Sequence, residues 1–217
     1  GVQTCALPIF NKVYPDGNTV LHAAACGGSV DVVSLLVERG KDVNEPNETG
    51  HTPSHFAAFH QRDEVLRFLL AHGADSTRVA QNDYSVLHEA ASGGSVDLVK
   101  LLLERGHDIE EETLGCTSLL LAAYWGRVEV VKLLMERGAD SSKVDEDGYS
   151  VLHLAASGGA VEVTKLLLVT YERDINEPTQ MGQTPLLIAA MAGKEDVVNL
   201  LISEGADLQN VDEEGHT

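Results

Sequence analysis

Nine histidines and three cysteines are the residues of this 217-residue chain best suited to chemistry. Zinc binding from a helix wants imidazoles at close, regular spacing on one face. His22, His55, His88 and His153 instead recur far apart, in similar surroundings. His51, His60, His72, His107 and His216 are scattered, and no two stand as H-x-x-x-H on one expected helix. A serine nucleophile would sit in G-x-S-x-G, which is absent, and Cys26 and Cys116 have no base at a linked spacing. The pairs Gly27-Gly28, Gly93-Gly94 and Gly158-Gly159 lack the Lys-Ser/Thr that completes a phosphate loop. The acidic runs Glu110–Glu112, Asp145–Asp147 and Asp212–Glu214 lack the D-x-D-x-D-G loop and closing Glu of a calcium site. No catalytic residue, metal ligand or cofactor is expected, and the chain reads as a non-enzyme.

Composition narrows the class further. Acidic residues number 34 against 15 basic ones, a formal charge of −19. Such a surface repels phosphate backbones, so nucleic-acid binding is disfavoured. No apolar run reaches the ~18 residues of a membrane span, so direct insertion is not expected. The cysteines form no C-x-x-C and no disulfide framework, which reads as reduced thiols in a cytoplasmic or nuclear protein. Aromatics make up only 5% of residues, so Ala, Val and Leu must build the core.

The elements that carry these residues repeat. LHEAASGGSVDLVKLLLERG, residues 87–106, reads as two short helices broken at Gly93-Gly94. Helices under ~12–15 residues are marginal alone, so each must pack against a neighbour. Thr19-Val-Leu-His22 recurs as Thr52-Pro-Ser-His55, Ser85-Val-Leu-His88, Thr117-Ser-Leu-Leu120, Ser150-Val-Leu-His153 and Thr184-Pro-Leu-Leu187. The leading residues are 33, 33, 32, 33 and 34 apart, and an Ala-Ala pair follows each. Thr or Ser can cap the first helix. The second helix closes on Gly40, Gly73, Gly106, Gly138 and Gly205, with Thr170-Tyr171 in repeat five. Asp16-Gly17, Thr49-Gly50 and Asp147-Gly148 mark hairpin tips.

These motifs resemble the ankyrin repeat, T-P-L-H-x-A-A followed by G-H-x-E-V-V-x-L-L-L and G-A-D-V-N. The resemblance covers residues 12–217. It implies an all-α repeat solenoid of stacked helix–turn–helix–hairpin units. Repeats are placed at about 15–47, 48–80, 81–112, 113–145, 146–179 and 180–212, with a seventh beginning at 213–217. Odd repeats share V-L-H-x-A-A-[CS]-G-G and even ones do not, so the working unit is read as a repeat pair. Repeat two departs most, with Ser54 for Leu and Gln61-Arg62 for Gly-His, and is expected to be the least stable. Residues 1–9, GVQTCALPI, resemble the in-frame translation of a common sequencing adapter and are expected to be non-native. Neither end carries the polar cap of a solenoid, so the natural protein is expected to be longer on both sides.

The resemblance implies binding through hairpin tips and exposed first-helix positions on a concave face. Those positions hold His51, Phe59, Tyr84, Tyr124, Trp125 and Tyr149, and the acids Glu146 and Asp147 stand beside them. Trp and Tyr are frequent interface anchors. Odd repeats place Gly27, Gly93 and Gly158 where repeat four has Trp125, so the framework is not expected to need the indole. Asn44 and Asn176 resemble the asparagine-hydroxylation pattern of such repeats. The expected function is a protein-interaction scaffold for a basic or Lys/Arg-rich partner. The alternatives are the regulatory array of a larger kinase or ubiquitin-pathway enzyme, or the cytosolic arm of a channel or membrane-skeleton protein.

Overall fold

The computed structural model describes residues 17–81, 83–113 and 115–209. The segment 1–9 and the start of a seventh repeat lie outside the described residues. The chain divides into two compact units, residues 1–107 and 108–217. The first holds α1 (Val20–Gly27), α2 (Val30–Glu38), α3 (Pro53–Phe59), α4 (Asp63–Ala71), α5 (Val86–Gly93) and α6 (Val96–Glu104). The second holds β1 (Glu112–Thr113), β2 (Cys116–Thr117), α7 (Ser118–Tyr124), α8 (Val128–Glu136), α9 (Val151–Gly158), α10 (Val161–Val169), α11 (Pro185–Met191) and α12 (Glu195–Ser203). Among the described residues, no helix is long and apolar enough to cross a membrane.

Each helix pair packs on the next within its unit. The first helices α1, α3 and α5 adjoin in order, as do α7, α9 and α11. Their Ala-Ala pairs are buried: Ala57, Ala58, Ala90, Ala91, Ala122, Ala123, Ala155 and Ala156 expose nothing. Leucines fill the space between the layers, with Leu21, Leu66, Leu87, Leu102, Leu120, Leu152 and Leu167 fully buried. The expected hairpins are mostly tight turns. Among the described residues, paired strands form only at β1–β2, Glu112 opposite Thr117 and Thr113 opposite Cys116, with an isolated bridge between Val79 and Ser85. Cys26 is buried and disulfide-bonded. Against the expectation of reduced thiols, only Cys116 is free among the described residues.

The recurring histidine explains how short helices start. In α1 the ring Nδ1 of His22 accepts the Thr19 backbone N–H at 3.0 Å, completing a reciprocal cap. The proton is therefore on Nε2, which donates to the His51 carbonyl of the following repeat at 2.9 Å. His55 repeats the cap on Thr52 and reaches the Tyr84 carbonyl at 3.2 Å. His153 repeats it on Ser150 and reaches the Gln183 carbonyl at 3.1 Å. Each ring thus caps its own helix and ties it to the next repeat, and it does both as neutral imidazole.

A second tie runs through the loops after the second helices. Asp42, Asp75, Asp108, Asp140, Asp174 and Asp207 each accept the backbone N–H two residues on, at 2.8–3.0 Å. Odd repeats add a longer side chain that crosses to the next repeat. Asn44 accepts from Asp75 N, Glu110 from Asp140 N and Asn176 from Asp207 N, at 2.7–2.8 Å. Even repeats carry Thr77 and Ser142 there, which only bond back to their own Asp.

The alternation also appears in how first helices meet. A Cβ on Gly93 would collide with the Phe59 carbonyl oxygen, and one on Gly158 with that of Tyr124. Odd repeats thus keep glycine so that their first helix can touch the backbone of the preceding even one. Repeat two carries the strained residue of this region: Gln61 stands at φ 55°. Its amide is offset by donating to the Gly93 carbonyl at 2.8 Å, and Arg62 donates to the Cys26 carbonyl at 2.8 Å. Ser54, by contrast, buries a hydroxyl that has no hydrogen bond.

Two outcomes follow for stability. Gly158→Ala should destabilise by about 2–3 kcal/mol, the usual cost of overpacking a rigid contact. Gly27→Ala, where no described atom lies within 4 Å of a new Cβ, should gain up to ~1 kcal/mol from helix propensity. Chemical denaturation of both variants checks this; equal and small effects would remove the close contact from the account. The second concerns acid. Burial lowers the pKa of His22, His55 and His153, and takes His55 from 6.5 to about 4. Between those pH values the unfolded chain binds more protons, so the stabilisation is complete above 6.5 and lost as pH falls toward 4. His55 alone should account for roughly 2 kcal/mol of loss at pH 5. Denaturation at pH 7, 6 and 5 for wild type and His55→Gln measures it, and the variant should lose less.

Candidate protein-binding site

The sequence-singled residues fall into separate groups. In the second unit Tyr124 ends α7 and Trp125 is its C-terminal cap residue. Their rings meet edge to face at 5.5 Å. They remain 40% and 47% exposed, large values for such rings. Even-type repeats put side chains here because the glycine contact is made by the partner helix. The pair borders a groove of about 530 Å³ floored by Gly158, Gly159 and Ala160, with Val161, Glu162 and Lys194 around it. Met191, at the position of Tyr124 in repeat six, is 66% exposed.

Tyr149 does not join them. It precedes the Ser150 cap of α9, at the N-terminal end of the first helices, whereas Trp125 stands at their C-terminal end. Its hydroxyl donates to Gln183 Oε1 at 3.2 Å, and its ring lies 6.1 Å from that of His153. Glu146 and Asp147 are exposed beside it at the hairpin tip. Asp145 is inward, accepting the Tyr149 N–H at 2.8 Å. Burial pushes the Cys116 thiol up to about 11, and Asp145, Glu146 and Asp147 add to that, so it is no nucleophile at neutral pH. Lys143 is held between Glu110 and Glu112, which leaves the exposed acids of this hairpin unneutralised by it.

In the first unit, His51 is bound into the fold. Its Nε2 lies 3.3 Å from Glu89 Oε1, its Nδ1 bonds Thr49 Oγ1 at 2.9 Å, and it packs edge-on to His55 and Phe56. Phe59 meets His60 edge to face at 5.2 Å, and Tyr84 meets His88 at 6.0 Å; both are half-buried. His51 and His55 stand four residues apart, but both nitrogens of His55 are used by the backbone. Among the described residues no cluster of His, Cys, Asp or Glu is arranged to hold a metal ion.

Asn44 and Asn176 serve as braces. Asn44 accepts from Asp75 N and donates to the Gly73 carbonyl at 3.0 Å; Asn176 accepts from Asp207 N. The sequence reading took Gln61-Arg62 only as a departure from the repeat and did not name Lys194; all three lie over the glycine pairs. Their shared place after the even first helices was the available signal. Asn44→Ala should destabilise by about 1–2 kcal/mol, because it orphans two partners. Thermal melts decide this, and an unchanged melting temperature would reduce Asn44 to a surface residue.

Comparison with known proteins agrees with this geometry. The family profile described as ankyrin repeats (3 copies) matches residues 4–80, 76–145 and 138–212. The ankyrin-repeat and KH-domain protein mask of Drosophila melanogaster is 37% identical over 69 residues, 32% of this chain and 2% of that protein. Human protein phosphatase 1 regulatory subunit 27 is 39% identical over 72 residues, 33% of this chain and 46% of that protein. The chain thus spans less than half the length of these relatives. The crystal structure of the human ASB11 ankyrin repeat domain superposes with a TM-score of 0.77 at 24% identity, covering 92% of this chain and 90% of that one.

Proposed function

The chain belongs to the ankyrin-repeat family, and from that premise we propose that it is a non-catalytic scaffold holding a partner protein on its first-helix and hairpin face. The observation that carries the reading is the exposed Tyr124–Trp125 pair above a glycine floor. Large rings left in water at a site the fold could fill with small residues are the usual anchors of an interface. The acids at the hairpin tips, Glu146 and Asp147, supply a negative rim that steers a basic partner. A regulatory role within a larger enzyme is the second reading. It draws on the likeness to human protein phosphatase 1 regulatory subunit 27. Cytoplasmic placement is part of the proposal.

Trp125→Ala should weaken partner capture by ~2 kcal/mol or more, as hot-spot anchors do. Its effect on stability should stay under ~1 kcal/mol, since about half of the side chain is in water. Pull-downs from cell extract with wild type and variant, quantified alongside thermal melts, test both. Glu146→Gln with Asp147→Asn should slow association and flatten its salt dependence. Unchanged capture with a large loss of stability would make the indole part of the core and end this reading.

A further inference from the structure

The C-terminal end of α9 is finished differently from its counterparts in the first unit. There, Arg62 runs its stem over Gly28 and donates from Nε to the Cys26 carbonyl at 2.8 Å, closing α1. Gln61 donates from Nε2 to the Gly93 carbonyl at 2.8 Å, closing α5. The matching positions around α9 are Lys194 and Gly126. Gly126 has no side chain to send. Lys194 passes its stem along Gly159, yet among the described residues no donor is bonded to the Ser157 or Gly158 carbonyl. Gly158, which follows Ser157 directly, lines the groove together with Tyr124, Trp125 and the exposed Glu162.

We propose that this groove seats an arginine side chain of the partner protein, its guanidinium donating to the Ser157 and Gly158 carbonyls and lying against the Trp125 ring. The proposal rests on the reading of this face as a partner surface and names the chemistry it takes. The end of a helix presents partial negative charge to a cation. The indole face attracts the same cation. A planar, weakly hydrated guanidinium satisfies both at once, which a compact ammonium does not. The chain's charge of −19 favours a cationic visitor, and Glu162 adds a carboxylate at the rim. Lys194 is the cation among the lining residues, and it is bonded to neither carbonyl. Arg62 on Cys26 shows the same bond made within this chain.

Trp125 is the chain's only tryptophan, so its emission comes from one residue lining the groove. The full chain is titrated with N-acetyl-arginine amide and, as the uncharged isostere, N-acetyl-citrulline amide. A saturable emission change with the first and none with the second is expected. Gly126→Gln rebuilds the cap that Gln61 makes; a Cβ there comes no nearer than 3.4 Å to Ala160, and Gln61 already tolerates this backbone. It should weaken the arginine amide about fivefold or more while the melt is retained. Glu162→Gln, an exposed change that leaves packing alone, should weaken it about twofold. No saturable response, an equal response to citrulline amide, or indifference to both variants overturns the arginine assignment. If that assignment fails while Trp125→Ala still abolishes partner capture, the partner surface stands. If arginine amide saturates but capture ignores Trp125, the surface reading falls instead.

Discussion

The whole architecture depends on a backbone-to-backbone contact between consecutive first helices. Helices of seven or eight residues cannot stand by their own hydrogen bonds. They persist because buried Ala-Ala pairs bring them close, and because Gly93 and Gly158 let the α5 and α9 backbones reach the Phe59 and Tyr124 carbonyls. That contact needs a missing Cβ on one side only. The facing even repeat is free of the requirement at its helix end, and there the chain places Phe59-His60 and Tyr124-Trp125. The alternation of glycine and bulky side chain is therefore one constraint seen from its two sides. The aromatic pair is where the chain was free to put something other than structure.

Polar ties obey the same economy. A histidine at the third helical position does the work of two residues, accepting its own cap N–H and donating to the next repeat. It can do so only while neutral, and burial keeps it neutral. Nearby carboxylates act to raise these values. For His153, whose Nδ1 lies 3.5 Å from Glu177 Oε1, the pull of that carboxylate is outweighed by desolvation. In the loops after the second helices, Asp75 and Asp140 are held below the usual carboxylate range by Thr77 and Ser142. Among the described residues no Asp, Glu, Lys or Arg is buried.

Much of this was legible before any coordinates. Thr/Ser caps, Ala-Ala pairs and the 33-residue spacing are local signals that repeat six times, so each copy corroborates the others. The capping role of His22, His55 and His153 follows from their place in the motif. What the sequence concealed were contacts made across repeats. Tyr124, Trp125 and Tyr149 lie close in the repeat register, yet a first helix separates the indole from Tyr149 along its axis. Conservative-looking His51 is absorbed by Glu89, a residue 38 positions away. Gly158 was read only as a sign that the framework does not need the indole. It is the partner surface on which the α7 backbone rests.

Gln61 and Gly126 show how one position separates structure from recognition. Both follow an even first helix and both have positive φ, at 55° and 67°. Glycine accepts that geometry at no steric cost, while glutamine is strained and recovers the cost through its bond to the Gly93 carbonyl. The first unit therefore spends a side chain on closing its own helix end. The second unit keeps the unstrained residue and leaves the helix end bare beneath two rings. A bare helix end in water is solvated and costs little, so stability does not force its closure. The same repeat framework thus closes a helix end with a side chain in one unit and leaves one to solvent in the other.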